Sequence, residues 1–132
     1  MPFDGAKPLK YSGLVAGAGL TAATVQYRFV KISADNTCVL CAATTDIPCG
    51  VIQAPVAATG DPVEVVYGGE TMLQADTSLS AAGAISTSAD GQAAAAVAGA
   101  YTVGMAINVA GATTAGNLIT AVIDCAAPIV KA

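Results

Sequence analysis

The sequence contains no histidine and no tryptophan. Only 11 % of its 132 residues are charged and 5 % aromatic, where an average protein carries about 25 % charged residues. Each shortage excludes something. Without histidine there is no ordinary base for a serine or cysteine nucleophile. Five basic residues, Lys7, Lys10, Arg28, Lys31 and Lys131, set against a net charge of -4, make no cationic footprint for nucleic acid. A disordered chain would be charged and poor in apolar residues, and this one is 55 % hydrophobic. Much of that fraction is alanine, which buries little area at about 25 cal/mol per Å². The length suits one domain, and the small side chains suggest that a partner supplies further buried surface.

Two stretches resemble membrane or targeting segments and fail as such. Leu14 to Leu20 follows Lys7 and Lys10, as the apolar part of a secretory signal would. Asp4, Pro2, Pro8 and three glycines disturb that pattern. Residues 91 to 123 carry no charge and are long enough to span a bilayer. They are mostly Ala, Gly, Thr and Asn, broken by Gly99, Gly104, Gly111 and Gly116 at strand-and-turn spacing, so no membrane partner is expected.

What is present is β patterning. Val25 to Phe29 alternates apolar and polar residues. Ser33 to Asn36 is a turn, and Cys38 to Cys41 is its return strand. Thr59-Gly60-Asp61-Pro62 is a second turn. Val63 to Tyr67 reads as a strand that Gly68-Gly69 turns back into Glu70 to Leu73. Ser88 to Gly91 is a third turn. Tyr101 to Val103, Met105 to Val109 and Leu118 to Ile123 complete the strands. Short strands with frequent turns predict an all-β barrel or sandwich. The one helical candidate is Ser78 to Ala84.

The pattern occurs twice. Ser33-Ala34-Asp35-Asn36 matches Ser88-Ala89-Asp90-Gly91 at an offset of 55 residues. Pro48-Cys49-Gly50-Val51 matches Thr102-Val103-Gly104-Met105 at 54, and the block from Gly60 matches the block from Gly116 at 56. Fixed-period self-similarity marks a repeated structural unit. The expectation is a single β domain over 15–132, built from modules at about 24–67 and 77–124. Gly50 should occupy the place of Gly104, at a kink or close approach where a Cβ obstructs, and Gly60 should fall on Gly116. Residues 1–14 stand outside these modules. They are either a frayed terminus or an extended arm that adds to a partner's sheet, with Phe3, Lys7, Leu9, Lys10 and Tyr11 as contact candidates.

No constellation for catalysis emerges. Asp35, Asp61 and Asp90 lie in turns that they stabilise themselves, and Glu64 and Glu70 read as solvent-facing. Cys38, Cys41, Cys49 and Cys125 offer four thiols, but one Cys-X-X-Cys on a strand points its cysteines to opposite faces. Metal and other cofactors are therefore not expected. The cysteines read first as small buried hydrophobes. Two disulfides stay open, Cys41 with Cys49 and Cys38 with Cys125.

Phe29-Val30-Lys31, Thr45 to Ile52, Gly60 to Val65, Ser88 to Gly91, Tyr101 to Ala106 and Gly116 to Ile119 together resemble the small head decoration (cement) proteins of tailed bacteriophages. The resemblance covers about residues 22–124 and is one of overall pattern. It implies a β-rich, non-enzymatic protein made in the host cytoplasm and bound to the outer surface of the virion capsid. Its partners would be the major capsid protein and copies of itself, as a homotrimer. An arm such as 1–14 would join the shell. The four cysteines depart from the family pattern. The reading from another class is a secreted or surface-displayed β-module that binds a host glycan or protein.

Overall fold

The structure is a computed structural model, and it describes residues 9–76, 79, 82–109 and 115–131. The protein is all-β. Its first half contains β1 (Leu9–Lys10), β2 (Val15–Ala16), β3 (Phe29–Ala34), β4 (Thr37–Leu40) and β5 (Gly50–Ile52). A ten-residue strand, β6 (Val65–Gln74), leads into the second half. There follow β7 (Ala84–Thr87), β8 (Ala93–Ala95), β9 (Tyr101–Thr102), β10 (Gly104–Asn108), β11 (Leu118–Asp124) and β12 (Ile129–Val130). The main sheet runs β2-β4-β3-β5-β6-β11-β10-β7-β8, with β1 on β6, and β9 pairs with β12 apart from it. From β4 to β8 this order is a mirror: 4-3-5-6 against 11-10-7-8.

The registers repeat as well as the order. Val30↔Leu40, Lys31↔Val39 and Ile32↔Cys38 become Ile85↔Ala95, Ser86↔Ala94 and Thr87↔Ala93, each residue moved by 55. Val30↔Gly50 becomes Ile85↔Gly104, and Val51↔Val66 becomes Met105↔Val122. The three offsets read in the sequence are those of the paired strands.

The repeat also extends further than the sequence indicated. Ala16 N–H donates to Asp61 O, Gly60 N–H to Ala16 O and Gly17 N–H to Cys38 O. In the second half Ala75 N–H donates to Asn117 O, Gly116 N–H to Ala75 O and Asp76 N–H to Ala93 O. Residues 14–17 are thus the counterpart of 73–76. The first unit runs over about 9–68 and the second over about 68–124, and β6 serves both. Its first part closes the first unit and its second part opens the second. Gly68-Gly69 is accordingly no hairpin turn. Gly69, at φ +100°, bends one continuous strand, a conformation that favours glycine.

Two further expectations shift. Val25 ends a short 3-10 turn, Ala23–Val25, and the strand begins at Phe29. Tyr27, at φ +66°, breaks the extended run between them. The helical candidate 78–84 falls mainly outside the described residues, and Ala84 opens β7. The sheets are not closed into a barrel. Each half curls until its opening segment meets its far margin, through the two-residue parallel pair of β2 with β4 and through the single Ala75↔Ala93 bridge.

Each half has its own core. In the first, Leu14, Ala16, Val30, Ile52, Val63 and Val65 cluster; in the second, their counterparts Leu73, Ala75, Ile85, Ala106, Ile119 and Ala121 do. The second cluster also takes in Phe29, Val51 and Val66, which leave the opposite face of the first half's strands. These three form the seam between the halves.

Candidate functional site

The residues singled out in the sequence serve mostly inside the fold. Phe3 and Lys7 lie outside the described residues. Leu9 and Lys10 are the two residues of β1, paired with Gly68 and Val66. The segment from residue 9 onward therefore belongs to the sheet and is not a separate arm. Leu9 is exposed, and Lys10 Nζ makes an exposed ion pair of 3.1 Å with Glu64. Tyr11, expected as a partner contact, turns inward. Its hydroxyl donates to Cys49 O at 2.8 Å, and its ring lies 4.7 Å from that of Tyr67. Burial first, then the neighbouring Cys49, Cys125 and Tyr67, push its pKa up to about 12.

The glycines behave as paired positions. A methyl at Gly50 would meet Val66 O at 2.5 Å, and one at Gly104 would collide with the equivalent Val122 O. Gly60 and Gly116 share a left-handed backbone at φ +93° and +89°.

The four cysteines are free and buried. Cys38 and Cys49 sit in the first core, Cys41 and Cys125 in the second. Each disulfide left open by the sequence would cross from one cluster to the other. Burial pushes the thiols of Cys41, Cys49 and Cys125 up to about 12 and raises that of Cys38. Burial that raises a thiol's pKa disfavours its thiolate, and all four cysteines pack within the cores.

Among the described carboxylates, Asp46 accepts three hydrogen bonds. Its Oδ2 accepts from Ala42 N–H at 2.7 Å, Ala43 N–H at 3.0 Å and Lys31 Nζ at 2.9 Å. Burial raises its pKa, but the Ala42 and Lys31 bonds, with Ala43, outweigh it and hold the carboxyl below its ordinary range. It ties down the loop between β4 and β5. Asp61 Oδ2 does the same for the Ala58 N–H at 3.0 Å.

On the second half the fold presents outward a sheet face that carries several large apolar side chains. On β11 the side chains alternate: Ile119, Ala121 and Ile123 are buried, while Leu118 and Val122 face out with Thr120. Met105 stands opposite Val122, and Met72 opposite Thr120. Beside Met105 and Val122 lies an open apolar groove of about 330 Å³, bounded by Ala127 and Ile129 of the C-terminal tail. Sequence reasoning did not single out these residues. The signal was the charge-free run over 91–123, in which one strand carries large apolar side chains on both faces. Such a surface can adhere; its acids are Glu70, opposite Val122, and Asp124, beside the groove.

No protein-family model matches the chain, and no curated protein matches it.

Proposed function

We propose that this protein is a non-enzymatic head decoration protein of a tailed bacteriophage, one that binds the outside of the expanded shell and bridges its capsid subunits. The observation that carries this reading is a pair of separate adhesive surfaces on one double-cored body. One is the second half's outer face, with Met105 46 % and Val122 41 % exposed. The other is the β1 margin, where Leu9 is 56 % exposed. A bridging protein needs two surfaces, and single domains of this size reach the roughly 1,200–2,000 Å² of a specific interface only through several contacts. Support also comes from where the blocks resembling cement proteins lie: they build the paired strands and turns of both halves.

On this reading the partners are the major capsid protein, met at the β1 margin, and further copies of the chain. The test is co-sedimentation with expanded shells. Saturable pelleting, raised heat resistance of the shells, and loss of both on removal of residues 1–8 are expected. A chain that stays in the supernatant with expanded shells would overturn the proposal. Binding to host-cell surfaces in its place would favour the secreted or surface-displayed module.

A further inference from the structure

The seam between the halves is an interface whose two sides each recur, uncovered, elsewhere in the molecule. One side is the outward row of the first half, Phe29, Val51 and Val66, cross-strand neighbours in that order and fully buried. The other side is the β7–β8 turn region of the second half. There Gly91 O accepts from Phe29 N–H at 2.6 Å, and Thr87 lies beside the Cys41 thiol.

The repeat carries both sides to new places. The first row maps onto Ala84, Met105 and Val122, again cross-strand neighbours in that order, and all three are exposed. The turn region maps onto the β3–β4 turn, where Ile32 stands for Thr87 and Asn36 for Gly91. Asn36 keeps the left-handed backbone, at φ +53° against +77° for Gly91. Thr87 is 1 % exposed, whereas Ile32 is 48 % exposed. A large apolar side chain thus stands on the solvent side of the first half where its counterpart is sealed inside the seam.

We propose that the second half's row docks on the β3–β4 turn of a second copy of this chain, in a head-to-tail contact that repeats the internal seam. The occupant is a second copy because the complementary side is present on every chain, where Ile32 is exposed beside the turn Ser33 to Asn36. The contact is heterologous, since the two surfaces differ, and it excludes a two-fold dimer through this face. It is not a replica at each atom. Gly91 admits the Phe29 backbone with an added methyl only 3.0 Å from Phe29 O, while Asn36 brings a side chain. The exchange of Phe29 for Ala84 leaves space on the other side. The inference deepens the shell reading by naming how copies meet, and its evidence is the repeat itself.

The test uses the full chain with Ala84→Cys in one preparation and Asn36→Cys in another. Both positions are exposed, and the native thiols are buried, so mild oxidation reports the engineered pair. Covalent dimers should form in the mixture and not in either preparation alone. The unsubstituted chain should show a concentration-dependent mass in sedimentation velocity, and Met105→Glu with Val122→Glu should return it to monomer with an unchanged melting temperature. A strictly monomeric chain at high concentration, or equal cross-linking within either single preparation, would overturn the proposal. Association without shell binding would sink the shell reading alone. Shell binding by a chain that remains monomeric both free and on the shell would sink this one alone.

Discussion

In the first half the outward row of the sheet is Phe29, Val51 and Val66, and none of it reaches solvent; in the second half the same row is Ala84, Met105 and Val122, and all of it does. The backbone pairing is shared, so the difference lies in what each half has beside it. The inner positions differ too. Ile52, Val65 and Cys38 of the first core correspond to Ala106, Ala121 and Ala93 of the second. An alanine core buries little area by itself. The second half compensates by drawing Phe29, the largest fully buried side chain, into its own cluster. The duplication therefore yields two units that are alike in hydrogen bonding and unlike in self-sufficiency. The first could pack its core from its own residues, and the second borrows.

Removing the loan is the most damaging test. Phe29→Ala should cost about 3–5 kcal/mol, as large-to-alanine changes in cores do. Val30→Ala, its neighbour facing the first core, should cost less. Denaturant unfolding with probes in each half measures both. A Phe29→Ala chain whose second half keeps its wild-type protection against hydrogen exchange would break the comparison. The glycine pair comes next. Gly50→Ala and Gly104→Ala each press a methyl on the carbonyl of the closing strand, so each should lose about 1–3 kcal/mol. Similar losses sharpen the equivalence of the halves; a neutral change at either position breaks it. The turn pair should differ. Gly91→Ala meets the Phe29 carbonyl and strains a left-handed residue, whereas Asn36→Gly sits in open turn geometry and should shift stability by only a few tenths of a kcal/mol.

How much of this was legible in the sequence depends on what kind of signal each feature leaves. The Asp35-Asn36 and Asp90-Gly91 turns were readable because few residues tolerate left-handed backbone, and their spacing carried the offset of 55. Gly50 and Gly104 were readable because they are glycines within apolar strands. The opening segment of the repeat was not. Leu14-Val15-Ala16-Gly17 and Leu73-Gln74-Ala75-Asp76 share only apolar identity at alternate positions, and their equivalence lies in backbone bonds to Asp61 and Asn117 that side chains do not announce. Gly68-Gly69 misled for a physical reason. A glycine pair permits a hairpin and equally permits a strand to bend and change partners, and only the tertiary pairing decides. The outer face escaped notice because an apolar residue on a predicted strand is read as core. In β11 apolar residues occupy both faces, so alternation could not say which face was covered.

The smallest expected effects separate the halves at a point of different engineering, the connection between the edge hairpin and the next strand. In the first half Asp46 holds this loop through Ala42, Ala43 and Lys31. In the second the C-terminal tail holds it: β12 pairs with β9, and Gly99 N–H donates to Lys131 O at 3.0 Å. A carboxyl whose pKa is lowered on folding adds stability that is present above its unfolded value of about 4 and is lost as pH falls through the lowered folded value. Acidification across that window should therefore cut the exchange protection of the Ala42 and Ala43 amides, while Gly99 keeps its own. Asp46→Asn should remove this part of the pH dependence at a cost of about 1 kcal/mol at neutral pH. Deleting residues 126–132 should do the reverse, freeing Gly99 and leaving Ala42 and Ala43 protected. Loss of protection at both loops under either treatment would mean that the two halves respond as one unit, and that the carboxylate and the tail are not separate solutions to the same loop.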